Sequence, residues 1–345
     1  MIFSNRLIQW YLQNKRDLPW RNTTNPYHIW LSEVILQQTR VAQGLPFYLR
    51  FVETFPTVYD LANASEEQVL KLWQGLGYYS RGRNLHKTAQ IVAFEYNGTF
   101  PKSYSELLKL KGIGTYTAAA IASFSQKEVV PVVDGNVFRV LARYFDVETD
   151  ISSSSAKKEF TALANEIISK KQPDLFNQAL MEFGALQCVP KSPNCSICIF
   201  NESCSALQKK KVALLPIKLK KTKVTERFLN YLVFEDENGH SLVQQRTAKG
   251  IWHNLYEFPL IESEKELDDE EFIKQVNSVP FLTNTLISIK AYDEKSVLHI
   301  LTHQRLKIRF WKLKVEGKIE KGISKEALKK HPFPIVIFNF IEKNF

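Results

Sequence analysis

The chain has 345 residues, enough for two domains, and its 44% apolar and 24% charged residues are ordinary for a globular protein with a substantial core. It contains no run of about 18 consecutive apolar residues, which excludes a transmembrane helix. The N-terminus lacks a basic stretch, an apolar run and a small-residue cleavage site in succession, so we expect a cytoplasmic protein.

The net charge of +10 is concentrated in one short segment. Residues 1–205 carry 21 Lys and Arg against 18 Asp and Glu, and residues 226–345 carry 18 of each. The other basic residues are seven lysines with no acid among them: Lys209, Lys210, Lys211, Lys218, Lys220, Lys221 and Lys223. Such a segment suits contact with a polyanion such as DNA. The alternative is a solvated linker that its lysines keep extended.

Residues 1–205 are predicted to be helical, with amphipathic stretches separated by Gly and Pro turn signals. Asn25 and Pro26 suit the N-cap and the first turn of a helix that is apolar nearly all round, which predicts a buried helix. Glu33 is its only acid. Because desolvation raises the pKa of a buried carboxyl, Glu33 is a candidate general acid near neutral pH. The alternative is a Glu satisfied by backbone groups or an arginine.

A Gly-Ile-Gly turn at Gly112–Gly114 separates two further helical segments. Glycines in such a turn let the backbone approach a phosphate, and the next helix offers free N–H groups to an anion. A lone turn of this kind is weak evidence, because many helix corners need glycine for steric reasons. Asp134 follows, just before Gly135 and Asn136, where an Asp is most often a helix cap.

All the cysteines of the chain lie within 17 residues, in the spacing C-x6-C-x2-C-x5-C: Cys188, Cys195, Cys198 and Cys204. Four thiolates so close together suit a tetrahedral metal site or an iron–sulfur cluster, and [4Fe–4S] clusters are held in this way. Zinc is the alternative, but all-cysteine zinc sites usually have two C-x2-C pairs and this run has one. A disulfide pair is a further alternative.

After the lysine segment the pattern changes to alternation, which predicts strands at Phe228–Glu235, Ser241–Arg246, Val297–Thr302 and Leu306–Val315. In the last of these the apolar positions change phase between Phe310 and Trp311, which indicates a bulge or an edge twist. The acidic run Glu262–Glu271 is expected to open a helix, and Lys325–Lys330 to lie in another. A helical front half is therefore joined to a smaller α/β rear half.

Together, the hairpin, Asp134 and the cysteine run resemble the helix–hairpin–helix DNA glycosylase superfamily, and the cysteine spacing resembles the cluster loop of its endonuclease III and MutY branches. Ser32-Glu33-Val34, with Leu36-Gln37-Gln38-Thr39 after it, is similar to the MutY adenine DNA glycosylases. The segment Gly250–Pro259 resembles the opening of the MutY C-terminal domain, a Nudix-like fold that recognises 8-oxoguanine. The pyrophosphatase box of true Nudix enzymes is absent from the chain, so we expect no nucleotide hydrolysis there.

The resemblance implies a mainly α, two-lobed helix–hairpin–helix core over residues 1–205, with the hairpin at about 107–124 and an iron–sulfur loop at 188–204. It implies a basic linker over residues 206–225 and a smaller α/β Nudix-like domain over 226–345. The four cysteines would hold a [4Fe–4S] cluster. The substrate would be double-stranded DNA with adenine opposite 8-oxoguanine or guanine, bound by a monomer associated with the bacterial nucleoid.

In this family the acid that matches Glu33 protonates N7 of adenine, and the one that matches Asp134 stabilises the oxocarbenium-like sugar. Tyr116 and Asn136 would lie near that sugar. Endonuclease III enzymes carry an attacking lysine at the position of Tyr116, so the resemblance implies hydrolysis by water without Schiff-base chemistry.

Three more sets of residues are assigned by position in the family. The adenine pocket would be formed by Arg16, Trp20, Arg21 and Gln178. Contacts to DNA would come from Leu36, Gln38, Tyr78, Gly112, Gly114 and Lys191. The loop Leu301-Thr302-His303 matches the family's Phe-Ser-His loop, so Thr302 and His303 would probe the oxidised guanine, although the change of Phe to Leu alters that contact.

Two alternative functions remain open from the sequence. One is a sister enzyme, either a thymine-mismatch glycosylase or an endonuclease III; the rear half and Glu33 disfavour the first, and Tyr116 disfavours the second. The other is a non-catalytic, cluster-bearing sensor of DNA damage. A pure binder needs neither Glu33 nor Asp134, so their presence favours an enzyme.

Overall fold

The computed structural model describes residues 2–219, 223–278 and 285–345. These residues form two compact units. The front unit contains the chain up to Asn63 and from Asn84 to residue 219, and the rear unit contains Ala64–Arg83 and the chain from residue 223 onward. None of the described helices is long and apolar enough to span a membrane.

The front unit is built from helices and loops. Its helices are α1 (Ile2–Asn14), a short 3-10 helix (Pro19–Arg21), α2 (Pro26–Ile35), α3 (Val41–Thr54), α4 (Val58–Asn63), most of α6 (Ser80–Glu95), α7 (Tyr104–Leu107), α8 (Thr115–Gln126), α9 (Gly135–Phe145), α10 (Ser154–Ile167), α11 (Pro173–Leu186) and α12 (Ser205–Gln208).

These helices pack in two groups. One group joins α2 to α3 and α8, and α8 to α7. The other joins α9 to α10, α11 and α12, and α11 to α1, around a core that includes Phe160, Phe176 and Leu180. The two groups meet where α8 packs against α11. The predicted two-lobed helical core is therefore confirmed, and the space where the two groups meet is available for a site.

Helix α2 forms as its sequence predicts. Asn25 accepts a hydrogen bond from the backbone N–H of Tyr27 at 2.9 Å, and Pro26 occupies the first turn, where its missing N–H costs nothing. Eight of its ten residues are buried, Glu33 among them. The helix thus carries a carboxyl group into the interior of the front unit.

Up to residue 219, the lysine segment lies against the front unit. The Nζ atoms of Lys209 and Lys211 lie 2.8 and 3.2 Å from Asp146 Oδ2, and Lys211 also contacts Glu148. The backbone carbonyl of Ile217 accepts a hydrogen bond from Ile151 N at 2.9 Å. Among the lysines of this segment that the structure describes, Lys209 and Lys211 are thus paired with acids of this unit. Lys220 and Lys221 lie outside the described residues.

The rear unit contains a five-stranded mixed sheet in the order β4-β1-β7-β5, with β6 also paired to β7. Its helices and strands are α5 (Glu66–Trp73), the start of α6, β1 (Thr225–Glu235), β2 (Gln244–Gln245), β3 (Tyr256–Glu257), β4 (Leu260–Ser263), α13 (Asp269–Ser278), β5 (Leu286–Ala291), β6 (Val297–Ile300), β7 (Gln304–Val315), α14 (Lys325–Leu328) and α15 (Ile335–Asn344). β1 and β7 are parallel and the other pairs of the sheet are antiparallel.

The bulge predicted near Phe310 is wrong, because β7 keeps an unbroken register with β1 from Gln304 to Lys314. Consecutive strand residues face opposite sides of a sheet, and here both sides are covered. The Phe310 ring stacks on Phe340 of α15, and the Trp311 ring stacks on Phe272 of α13, each with centroids 3.8 Å apart. The apolar phase therefore changes because each helix covers one face. The register shift of this region lies in β5 instead, next to Leu286.

The other predicted strands and the second helix shift by two or three residues at one end, and two predictions differ more widely. Of Ser241–Arg246, only Gln244–Gln245 form a strand, and Ser241 makes an isolated bridge to Ile323. The acidic run opens its helix only at Asp269, because Glu262 pairs within β4 and its side chain binds Arg227. The acids of the run therefore belong to two different elements.

The segment Ala64–Arg83 is held in the rear unit by polar contacts at several points. Lys71 Nζ donates to the carbonyl of His331 at 3.0 Å, and Gln74 Oε1 accepts from Phe333 N at 2.9 Å. Arg83 Nη1 donates to the carbonyl of His253 at 2.7 Å. This segment includes Tyr78, so that residue belongs to the same unit as the loop of Thr302.

Candidate active site

A cavity of about 740 Å³ lies in the front unit between the two groups of helices. Ten of the residues predicted to act in catalysis, adenine binding or DNA binding line it: Arg16, Trp20, Arg21, Glu33, Leu36, Gln38, Tyr116, Asp134, Asn136 and Gln178. They come from segments far apart in the sequence. Their convergence on one cavity marks it as the candidate active site.

Glu33 contributes a buried carboxyl to the cavity wall. Tyr116 Oη donates a hydrogen bond to Glu33 Oε2 at 2.5 Å. Burial raises the pKa of Glu33 to about 7; the Tyr116 hydrogen bond opposes the rise, the charge of Asp134 adds to it, and Arg21 opposes it. A carboxyl with a pKa near neutrality can hold a proton at pH 7 and give it up during a reaction.

Asp134 is the N-cap of α9. Its Oδ1 accepts hydrogen bonds from the backbone N–H groups of Asn136 and Val137, both at 2.8 Å, and its Oδ2 accepts from Asn136 Nδ2 at 2.8 Å. Burial raises the pKa of Asp134, while these hydrogen bonds and the charge of Arg139 work against that rise. Three donors fix the carboxylate in one orientation and support its negative charge.

The adenine-pocket candidates meet a residue that the sequence analysis missed, Glu182. Arg16 and Arg21 both bind its buried carboxylate, through Nη2 atoms 2.6 Å from Oε2. Gln178 is held separately, because its Oε1 accepts a hydrogen bond from Tyr11 Oη at 2.7 Å. The polar groups of this pocket are therefore fixed by neighbours from other helices.

Leu36 and Gln38 lie just after α2 and line the same cavity. Gln38 is exposed and adopts a left-handed backbone conformation, with φ of 55°. Non-glycine residues in this region are uncommon and are enriched at functional sites. The conformation turns the chain directly after the helix that carries Glu33.

The hairpin joins α7 to α8, and its two glycines differ in what they require. Gly112 has φ of +92°, and a Cβ added there would lie 2.7 Å from Thr88 Oγ1. Gly114 is the N-cap of α8, with φ of −87° and no atom within 4 Å of an added Cβ. Gly112 is needed for the turn itself, whereas Gly114 leaves open space over the start of α8.

We expect Gly112→Ala to lower the free energy of unfolding by about 1–3 kcal/mol, because alanine at a positive φ is strained and its Cβ would displace Thr88. Gly114→Ala is the matched control and should cost less, since only its N-cap preference changes. Urea unfolding of both variants measures the difference. Equal losses at the two positions would contradict the assignment.

The four cysteines are free thiols, each partly buried, around one cavity of the front unit. Phe200 N donates to Cys198 Sγ at 3.4 Å, and Arg143 Nη1 donates to Cys188 Sγ at 3.5 Å. Throughout the part of the chain that the structure describes, no three His, Cys, Asp or Glu side chains are arranged to hold a metal ion. Lys191 lies in the same loop and is exposed.

Two buried arginines of α9 hold the cysteine loop. Arg139 donates to the carbonyl of Cys188 at 2.8 Å and to Asn136 Oδ1 at 2.9 Å. Arg143 donates to the carbonyls of Val189 at 2.7 Å and Pro190 at 2.9 Å. The first cysteine is therefore linked through Arg139 and Asn136 to the cap formed by Asp134.

The residues predicted to recognise the base opposite adenine lie in the rear unit. The hydroxyls of Tyr78 and Thr302 share a hydrogen bond. Tyr78 is 44% exposed and has a φ of 47°, and the guanidinium of Arg81 lies 5.6 Å from its ring centroid. His303 is exposed, and its carbonyl accepts a hydrogen bond from Thr225 N at 3.1 Å. An exposed aromatic ring and an exposed hydroxyl are thus held together.

The sequence around Glu182 contains a pattern that indicates a buried acid. Apart from Asp174 in the first turn, Glu182 is the only acid of the largely apolar helix α11, the same pattern that singled out Glu33. Its partners Arg16 and Arg21 lie 166 and 161 residues away. A lone acid in an apolar helix could have been noticed, but no local pattern identifies such distant partners.

Comparison with known proteins agrees with this geometry. Residues 31–166 match the family described as HhH-GPD superfamily base excision DNA repair protein, and residues 230–343 match the NUDIX domain. An adenine DNA glycosylase of Buchnera aphidicola subsp. Schizaphis graminum (strain Sg) is 33% identical over 310 residues, which is 89% of this chain and 86% of the relative. The chain belongs to the adenine DNA glycosylase family.

Two further matches extend the comparison. The adenine DNA glycosylase of Arabidopsis thaliana is 34% identical over an alignment of 349 positions, covering 88% of this chain and 55% of the relative. The solved structure of a thermostable thymine-DNA glycosylase has a TM-score of 0.55 and 27% identity, and it covers 60% of this chain and 96% of that chain.

As a member of the adenine DNA glycosylase family, the chain is a base-excision-repair enzyme that hydrolyses N-glycosyl bonds and has DNA as its partner. The predicted helix–hairpin–helix core followed by a Nudix-like domain is confirmed. The interpretation as a non-catalytic sensor is not supported.

Proposed function

We propose that the enzyme removes adenine that is paired with 8-oxoguanine or guanine in double-stranded DNA, acting as a monomer. The observation that carries the proposal is the presence of Glu33 and Asp134 in one cavity of about 740 Å³. Glu33 is suited to carry a proton, and Asp134 is suited to carry a negative charge. Adenine must leave the base stack to reach them, at a cost of a few kcal/mol that is lower for a mispaired base.

Glu33 is the proposed general acid at N7 of the flipped adenine. Adenine is a poor leaving group as an anion, and protonation of its ring lets the N-glycosyl bond break. The Tyr116 hydroxyl donates its hydrogen bond to Glu33 Oε2. The Oε1 atom is therefore the one proposed to interact with adenine. Burial, which raises the pKa of Glu33 to about 7, keeps a large share of the protonated form at neutral pH.

Asp134 is proposed to stabilise the sugar as the bond to adenine breaks. The sugar gains oxocarbenium character, and a fixed carboxylate beside it lowers the energy of that state electrostatically or through a transient bond. The three N–H donors to Asp134 already hold its carboxylate in place, so it need not change orientation during the reaction. Asn136, which supplies two of them, is a positioning residue in this scheme, and water completes the hydrolysis.

We propose that the enzyme has no lyase activity, and the residues around the cavity support this. Schiff-base formation needs an amine nucleophile at the sugar, and of the described residues that line this cavity none is a lysine. Tyr116, at the family position of that lysine, is instead bound to Glu33. We therefore expect an intact abasic strand as the first product.

Cys188, Cys195, Cys198 and Cys204 are proposed to hold a [4Fe–4S] cluster. The fit rests on four free thiols around one cavity and on N–H donors aimed at two of their sulfur atoms. All-cysteine zinc sites usually have two C-x2-C pairs, and this run has one, which favours a cluster over a single zinc ion. When bound, the cluster would pin the loop that carries Lys191 beside DNA.

The remaining DNA contacts are assigned to four regions. The backbone N–H groups at Gly112 and Gly114 are proposed to bind a phosphate at the start of α8. Leu36, Gln38 and Tyr78 are proposed to fill the stack that adenine vacates. Thr302 and His303 are proposed to contact 8-oxoguanine.

We expect Thr302→Ala to reduce the preference for 8-oxoguanine over guanine about fivefold, which is the worth of one hydrogen bond of about 1 kcal/mol. Thr302→Ser keeps the hydroxyl and is the matched control. The measurement is the ratio of Kd values for two duplexes with an uncleavable adenine analogue, one opposite 8-oxoguanine and one opposite guanine. An unchanged ratio in the alanine variant would exclude this role.

The proposed function is tested by single-turnover reaction on a duplex with one adenine opposite 8-oxoguanine, quenched with and without hot alkali. We expect strand scission at the adenine only after alkali. Scission without alkali would contradict the proposed hydrolysis by water. Tight binding with no adenine removed would contradict the assigned substrate.

A further inference from the structure

Glu182 makes an unusually complete set of contacts on the wall of the active-site cavity. Its Oε1 accepts from Arg16 N at 3.0 Å, Arg16 Nε at 2.9 Å and Arg21 Nη1 at 2.8 Å. Its Oε2 accepts from the Nη2 atoms of Arg16 and Arg21, both at 2.6 Å. The side chain is 1% exposed, so one buried carboxylate anchors both arginines.

The carboxylate of Glu182 remains ionised over the working range of pH. Burial alone would raise its pKa, but the hydrogen bonds from Arg21 and Arg16 outweigh burial and lower the pKa to about 2. Buried ion pairs contribute little net stability compared with apolar residues of the same volume. A role in stability is therefore a weak explanation for three charged groups at this cavity.

Arg21 connects this cluster to Glu33. The charge of Arg21 favours the ionised form of Glu33, and Asp134 favours the protonated form. Both terminal nitrogens of Arg21 are held by Glu182, whose negative charge offsets that of the guanidinium. Besides Glu33, the charged and titratable groups that line the cavity are Arg16, Arg21, Arg40, Tyr116, Asp134, Arg139 and Glu182.

We propose that Glu182 is a positioning residue of the glycosylase reaction: it clamps Arg16 and Arg21 to the cavity wall and offsets the charge of Arg21 at Glu33. The inference rests on the proposed role of Glu33 as general acid. Without Glu182, Arg21 would be free to pair with Glu33 and lower its pKa, so that Glu33 would lose its proton to water near neutral pH. Glu33 would then already be ionised when adenine binds.

The test is the pH dependence of single-turnover adenine excision by Glu182→Gln, which keeps the size of the side chain and removes its charge. We expect the fall in rate toward high pH to begin about one pH unit lower than in the wild type, so that the rate at pH 8 drops about tenfold. At pH 6 the rate should stay within about threefold. Glu182→Asp keeps the charge and should leave the fall near its original pH.

A second variant removes the positive charge of Arg21, and we expect it to shift the pH dependence in the opposite direction. In Arg21→Gln the fall in rate should move to higher pH, and this variant carries the test if Glu182→Gln does not fold. The proposal would be overturned if Glu182→Gln and Arg21→Gln lost rate equally at every pH. It would also be overturned if the rate of both variants fell at the same pH as that of the wild type. Failure of the proposed function is distinguishable in the wild type. Release of no adenine would contradict the assigned substrate, and a rate without any fall toward high pH would exclude Glu33 as the acid.

Discussion

Glu33→Gln is expected to slow adenine excision about 10²- to 10⁴-fold at pH 7, the usual contribution of a general acid. Glutamine has the same shape and can still accept the hydrogen bond from Tyr116, so the local packing is preserved. It cannot deliver a proton to adenine N7. Single-turnover rates on the duplex with adenine opposite 8-oxoguanine measure the loss.

Binding provides the control for this variant. Because Glu33 lies in the cavity wall and α2 remains intact, the Kd for a duplex with an uncleavable adenine analogue should change by less than about fivefold. A rate within tenfold of the wild type would exclude Glu33 as the acid. Tyr116→Phe removes the hydrogen bond to Oε2 and keeps the carboxyl, so a smaller loss is expected.

Asp134→Asn is expected to slow excision by at least about 10²- to 10³-fold, as for other groups that stabilise developing charge. Asparagine caps helices about as well as aspartate, so α9 should form normally. What is lost is the negative charge beside the sugar, together with the hydrogen bond from Asn136 Nδ2 to Oδ2. The measurement is the single-turnover rate together with the thermal midpoint of unfolding.

Asp134→Ala separates the two functions of this residue. It removes the charge and also the cap bonds to Asn136 and Val137, so stability should fall by about 1 kcal/mol beyond that of Asp134→Asn. The two variants should share a low rate and differ in stability. Near wild-type activity in Asp134→Asn would exclude a role for the charge of Asp134 in the reaction and would show that the residue acts only as a helix cap.

Local patterns drew attention to the acids and cysteines of the candidate site, and the family resemblance supplied their proposed roles. Glu33 is marked by an apolar helix, Asp134 by its place before a helix, and the cysteines by their spacing, and each pattern spans fewer than about 20 residues. These features are visible because burial, capping and metal ligation each restrict the residue types allowed nearby. The structure brings Glu33 and Asp134 to one cavity.

Contacts between distant segments were not predictable in this way. The clamp of Glu182 on Arg16 and Arg21 joins residues more than 160 positions apart. The placement of Ala64–Arg83 in the rear unit depends on backbone carbonyls such as that of His331, which carry no sequence signal. The change of phase in β7 was read as a bulge because the sequence does not reveal that helices cover both faces of the sheet.

The central claim is that two acids of one cavity hold different protonation states, Glu33 protonated and Asp134 ionised. The most direct test is the single-turnover rate of adenine excision by the wild type from pH 5 to 9, with enzyme in excess over DNA. Because burial raises the pKa of Glu33 to about 7 and the protonated form is the active one, the rate should be high below pH 7 and fall as the pH rises through it. A rate that stays constant or increases from pH 6 to 9 would contradict the claim.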